Sequence, residues 1–131
     1  INGVTYYNDS KATNVEAVKV ALDSFDNTIH LILGGKDKGG DFSTLLPHIK
    51  NKVNEIIAYG EAATIIETAL GDAVKLKIVF SLKDAVKTCH TRAQPGDIVL
   101  LSPGCASFDQ FKNFEERGNL FKSIVNEMAR S

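Results

Sequence analysis

The chain has 131 residues, 44% of them hydrophobic and 24% charged, with a formal net charge of -1. Such a chain can bury roughly two-thirds of the surface its unfolded form exposes, which fits one globular domain over residues 1–131 and excludes a disordered segment. The near-zero charge speaks against a nucleic-acid partner, no apolar run approaches the ~20 residues of a membrane span, and no signal peptide opens the chain.

Val4 to Asn8 reads as a strand rich in β-formers, and Val15, Val18, Leu22 and Phe25 then recur at helical spacing. Ile29 to Leu33 is a nearly continuous apolar run ending in Gly34-Gly35, as expected of a strand covered on both faces. A helix follows with Leu46, Ile49 and Val53 on one side. Glu55 to Tyr59 is the third strand, and Ile65, Ile66, Ala69 and Leu70 mark the next helix. Leu76 to Phe80 is the fourth strand. Ser81 offers an N-cap with Asp84 three residues on, and Leu82, Ala85, Val86 and Cys89 give that helix its apolar face. The turn Gln94-Pro95-Gly96-Asp97 launches Ile98 to Leu101, the fifth strand. Phe121, Ile124, Val125 and Met128 predict a final amphipathic helix. Strands alternating with helices imply an α/β fold, a three-layer Rossmann-like domain with a mainly parallel sheet and helices on both faces.

The two cysteines, Cys89 and Cys105, fall in a helix and a distant loop, which is no disulfide framework and fits a reducing, cytoplasmic compartment. The first residue, Ile1, is not Met and a strand follows at once, so the expectation is a domain with further sequence upstream.

Ligands of open parallel sheets bind beyond the carboxyl ends of the strands, in the loops. The loops after strands three and four are short. Those after strands one, two and five are long and rich in polar residues or glycine. The first, Asn8-Asp9-Ser10-Lys11-Ala12-Thr13-Asn14, sets a carboxylate, a cation and two hydroxyls ahead of a helix N-terminus. Helix capping accounts for one of these residues and leaves Lys11 unexplained; a lysine beside free N–H groups suits a phosphate or carboxylate. The second, Gly34 to Asp41, resembles a phosphate loop but has Gly40 and Asp41 where Gly-x-x-x-x-Gly-Lys-Ser/Thr requires Lys and Ser/Thr. It reads equally as a solvated turn, with Lys38 as an anion ligand. In the fifth, Leu101 to Phe114, Ser107 is either a carboxylate donor or a plain N-cap. Phe108, Phe111 and Phe114 recur every third residue, which points to core. Cys105 has no evident His partner, and His30, His48 and His90 lack metal-ligand spacing, so structural roles are expected for His30 and His90.

Taken together, Asp9-Ser10-Lys11-Ala12-Thr13-Asn14, Gly34-Gly35-x-Asp37-Lys38-Gly39-x-Asp41-Phe42 and Ser102-Pro103-x-Cys105-Ala106-Ser107-x-Asp109-Gln110-Phe111-Lys112-Asn113-Phe114 with Arg117-Gly118 resemble the C-terminal domain of the Mur ligases, over essentially the whole chain. The Asp-Ser-Lys-Ala-Thr-Asn segment points to the branch that handles D-glutamate. The resemblance implies a bacterial, cytoplasmic, three-domain enzyme of peptidoglycan-precursor synthesis. In it, ATP with Mg²⁺ activates the carboxylate of UDP-N-acetylmuramoyl-L-alanine as an acyl phosphate, and the amine of D-glutamate attacks it. The upstream N-terminal and central domains would bind the UDP-sugar and carry the phosphate loop, so this chain alone would be inactive. The resemblance also implies that Asp9 meets the ATP ribose and that Lys11 faces the transferred phosphate as the catalytic cation. Thr13 and Lys38 would hold one glutamate carboxylate, Ser107 and the Phe114 backbone the other. Gly104 stands where the family more often has Ala, and Lys36 adds a cation beside Lys38. Two other readings stay open: another Mur or folylpolyglutamate synthetase-type ligase, and a non-catalytic anion- or nucleotide-binding module.

Overall fold

The computed structural model describes residues 3–26, 28–36, 39–50, 52–107 and 111–130. Five strands, β1 (Thr5–Asn8), β2 (Ile29–Gly34), β3 (Val53–Tyr59), β4 (Lys75–Val79) and β5 (Ile98–Leu101), form one sheet in the order β1-β5-β2-β3-β4. Every pairing is parallel. The helices are α1 (Val15–Asp23), α2 (Leu46–Ile49), α3 (Ala63–Leu70), α4 (Leu82–Arg92) and α5 (Phe114–Ala129).

Alternation along the buried strands divides the interior into two cores. Ile29, Leu31, Leu33, Ile56, Ala58, Ile98 and Leu100 point to one face, where Val18, Leu22, Leu45, Ile66 and Leu70 cover them. Ile32, Ile57, Tyr59, Val99 and Leu101 point to the other, beneath Leu82, Val86 and Cys89 of α4 and Phe121 and Ile124 of α5. The steps from β1 through β4 run in one direction across the sheet and leave α1 to α3 on one face. The return to β5 runs backwards and leaves α4 on the opposite face, as a constant crossover hand requires. The predicted three-layer α/β architecture is the observed one.

Four local expectations are corrected. Val53 opens β3, pairing with Ile29, instead of continuing a helix from Leu46. Pro47 sits in the first turn of α2, and a 3-10 turn over Phe42–Leu45, capped by Asp41, takes up the preceding residues, so α2 is only four residues long. Phe25 lies beyond the end of α1 and packs its ring against Tyr7, centroids 4.7 Å apart. Ile65 faces solvent while Ala63, Ile66 and Leu70 make the buried stripe of α3, and Phe80 lies outside β4, 86% exposed. The Ser81 cap is as expected: its hydroxyl accepts from the Asp84 N–H at 3.2 Å.

Candidate functional site

Because every strand is parallel, all carboxyl ends lie on one rim, and the neighbours β1, β5 and β2 carry the three long loops. These loops are tied to one another directly. The Asp9 N–H donates to the Leu101 carbonyl at 2.7 Å, and the Ser102 hydroxyl donates to the Asp9 carboxylate at 3.0 Å. The Gly104 N–H donates to the Ala12 carbonyl at 2.9 Å, joining the first and fifth loops a second time. Lys36 and Ala106 exchange backbone hydrogen bonds of 2.8 and 3.1 Å, and the Gly34 N–H donates to the Pro103 carbonyl, so the second loop is stitched to the fifth.

Gly34 and Gly35 are buried and fixed here, unlike a solvated turn. At Gly35, φ is +127°, and a Cβ would collide with the Ala106 carbonyl and come 3.3 Å from the Arg117 guanidinium. Only glycine lets the second loop approach this closely.

The hub beneath the rim is Arg117, wholly buried although it comes from the first turns of α5. Its Nε donates to the Ser10 hydroxyl at 2.9 Å, one terminal nitrogen to the Cys105 carbonyl at 3.0 Å, and the other to the Ser10 carbonyl. The Ser10 hydroxyl in turn donates to the Phe114 carbonyl at 2.6 Å. Asn8 braces the same junction: its side-chain oxygen accepts from the Ser10 N–H and its amide donates to the Gly118 carbonyl. One guanidinium therefore anchors the first loop, the fifth loop and the start of α5.

This framework presents the residues named from the sequence. Asn14 alone caps α1, accepting from the Ala17 N–H at 2.9 Å, which leaves Asp9, Lys11 and Thr13 for other work. Lys11 is exposed and borders two cavities. One, of about 200 Å³, is shared with Ser10, Phe114 and Gly118; the other, of about 610 Å³, is shared with Asp9, Ala12 and the apolar side chains of Tyr7 and Phe25. Thr13 is half-buried just ahead of α1. Ser107 is buried, and it does not cap α5; Asn113 does, through the Glu116 N–H. Phe114 is 38% exposed and opens α5 instead of filling the core, while Phe111 packs against the α4/α5 core. The Phe114 carbonyl is engaged by Ser10, and its N–H lies in the first helical turn, where intrahelical acceptors are lacking. Lys38 and Phe108 lie outside the described residues.

The sequence reading missed the roles of Arg117, Ser10 and Ser102. A signal for Arg117 was present, since it stands four residues before Phe121 on the apolar stripe of α5. Among the described residues no group of three or more His, Cys, Asp or Glu could hold a metal ion. Nor is any helix among them long and apolar enough to cross a membrane.

The family model described as "Mur ligase, glutamate ligase domain" matches residues 1–105. The chain belongs to the Mur ligase family. It is 50% identical over 125 residues to the UDP-N-acetylmuramoylalanine–D-glutamate ligase of Acidobacterium capsulatum, covering 95% of this chain and 27% of that protein. It is likewise 50% identical over 127 residues to the ligase of the same name from Chlamydia pneumoniae, covering 97% of this chain and 30% of that one. The Mur ligase chain in hand thus spans under a third of the length of these curated relatives. Among solved structures it shares its fold with the murein peptide ligase Mpl of Psychrobacter arcticus, with a TM-score of 0.59 and 17% identity over 95% of this chain and 28% of that one. E. coli FolC in complex with ADP matches with a TM-score of 0.60 and 18% identity, over 90% and 28% of the two chains.

Proposed function

We propose that this Mur ligase domain receives D-glutamate in a longer ATP-dependent ligase that joins it to UDP-N-acetylmuramoyl-L-alanine. The observation that carries this reading is the union of the first, second and fifth loops at one rim, in a chain half-identical to D-glutamate-adding ligases. A small diacid needs two separated donor groups, and loops from different strands supply them. Thr13 and Lys38 hold one carboxylate; Ser107 and the Phe114 N–H hold the other. Asp9 accepts from the nucleotide ribose on the side of its carboxylate away from Ser102. Lys11, exposed between the two cavities, stabilises charge on the phosphoryl group in transit.

The sequence of this chain has no Gly-Lys-Ser/Thr phosphate loop, and in this reading upstream domains hold most of the nucleotide phosphates and Mg²⁺. Within the whole protein, the muramoyl-alanine carboxylate takes the terminal phosphoryl group of ATP. The D-glutamate amine then displaces phosphate and the amide forms. This chain's residues orient the amine and neutralise the glutamate carboxylates, and alone it is catalytically silent.

Phosphate release by the full-length protein tests the reading: it should require D-glutamate and not respond to L-lysine or meso-diaminopimelate. A hydrogen bond to a charged group contributes about 1.5–3 kcal/mol, so Lys38→Ala should raise the D-glutamate KM at least ~10-fold. An unchanged KM removes Lys38 from the site, and release driven equally by another amino acid removes the substrate assignment.

A further inference from the structure

A second polar cluster lies at the opposite rim, near the amino ends of the strands, and the ligase reading gives it no task. His30, the second residue of β2, is 1% exposed. Its Nδ1 lies 2.6 Å from a carboxylate oxygen of Glu55 on β3, and its Nε2 lies 2.9 Å from a carboxylate oxygen of Asp97, just ahead of β5. The other oxygen of Glu55 accepts from Arg92, at the end of α4, at 2.7 Å. The Asp97 oxygen facing His30 also accepts from the Gln94 N–H at 2.9 Å. Glu55 is itself 1% exposed.

Hydrogen-bond chemistry fixes the proton count. A neutral imidazole has one donor and one acceptor nitrogen, and an ionised carboxylate accepts only. With a carboxylate oxygen on each ring nitrogen, a neutral ring would set the lone pair of its bare nitrogen against that of a carboxylate oxygen. Charge balance agrees, since buried charges persist only when paired. Arg92 pairs with the buried Glu55 carboxylate, and the half-buried Asp97 has only His30 as an ion-pair partner among the described residues.

We propose that His30 is held in the native protein as a doubly protonated imidazolium, bridging Glu55 and Asp97. In that state it is a structural cation that locks the α4–β5 turn onto β2 and β3.

The other groups near this row do not supply the missing charge. Burial pushes the Cys89 thiol of α4 up, with Glu55 adding to the rise and Arg92 opposing it. Tyr6 of β1 is raised to about 12, by burial first and then by Cys89, and its hydroxyl sits 3.2 Å from His90 Nδ1. Both stay neutral near pH 7.5. Lys75 of β4, in register with Glu55, is exposed to solvent.

Long-range ¹⁵N–¹H spectra of ¹⁵N-histidine-labelled protein at pH 7.5 test the proposal, with His30→Gln providing the assignment. Both ring nitrogens of His30 should resonate in the protonated range, where an ordinary exposed histidine is mostly neutral. One bare nitrogen, or a Glu55 carboxyl ¹³C shift typical of a protonated acid, would overturn the assignment. In Asp97→Asn the second proton should be lost and a bare nitrogen appear. A doubly protonated His30 in that variant would show that the two carboxylates are not what holds the proton, and the proposal would fail.

Discussion

Arg117 shows how one side chain can organise a site without reaching solvent. Its guanidinium donates to Ser10 twice and to Cys105 once, so three directions of the planar fork are used at once. Lysine has a single head and cannot reproduce that fork. Arg117→Ala leaves the Ser10 and Cys105 acceptors unsatisfied in a dry setting, and hydrogen bonds to a charged group contribute about 1.5–3 kcal/mol each. A loss of about 3 kcal/mol or more is expected in urea unfolding, with Arg117→Lys recovering less than half of it. A lysine variant within ~0.5 kcal/mol of the native protein would mean that the fork geometry is unimportant. Sequence alone presents Arg117 as one more charge on a surface helix, although its spacing to Phe121 already set it on the buried face.

At the scale of elements, caps and breakers were the most legible features. Ser81 starts α4 with extended backbone, its hydroxyl accepting from the Asp84 N–H and donating to the Asp84 carboxylate at 3.1 Å. Ser81→Ala should lower stability by about 1 kcal/mol, read as a shifted urea midpoint with the slope unchanged. An unmoved midpoint would leave α4 held by Leu82, Val86 and Cys89 alone. The segment after β2 was less legible. Leu46, Ile49 and Val53 have helical spacing, yet Val53 pairs with Ile29 in the sheet and Pro47 sets the start of a four-residue helix. Parallel pairing overrides local periodicity here because a strand buried on both faces reads as a continuous apolar run, which a helix can mimic.

For the whole molecule, the decisive feature is a single sheet shared by two cores. Ile56 and Ile57 are adjacent and fully buried but face opposite layers, Ile56 towards α1, α2 and α3 and Ile57 towards α4 and α5. Ile56→Ala and Ile57→Ala should each cost about 2–5 kcal/mol. If residues 3–130 fold as one unit, each variant should lower one transition that far-UV circular dichroism and tyrosine fluorescence report at the same midpoint. Separate midpoints for the two probes would mean that the layers unfold independently.

The same sheet places the site. With β5 inserted between β1 and β2, loops that start at residues 8, 34 and 101 leave adjacent strands on one rim. Apolar runs, turn residues and caps sufficed to determine five strands, the alternation with helices and which loops were long enough to hold chemistry, because those signals are local. The strand order, the burial of Arg117 and the pairing of His30 with Glu55 and Asp97 were decided only by tertiary structure. Each depends on contacts between residues 12 to 107 positions apart, and nothing in a short window of sequence records which distant partner will satisfy a buried polar group.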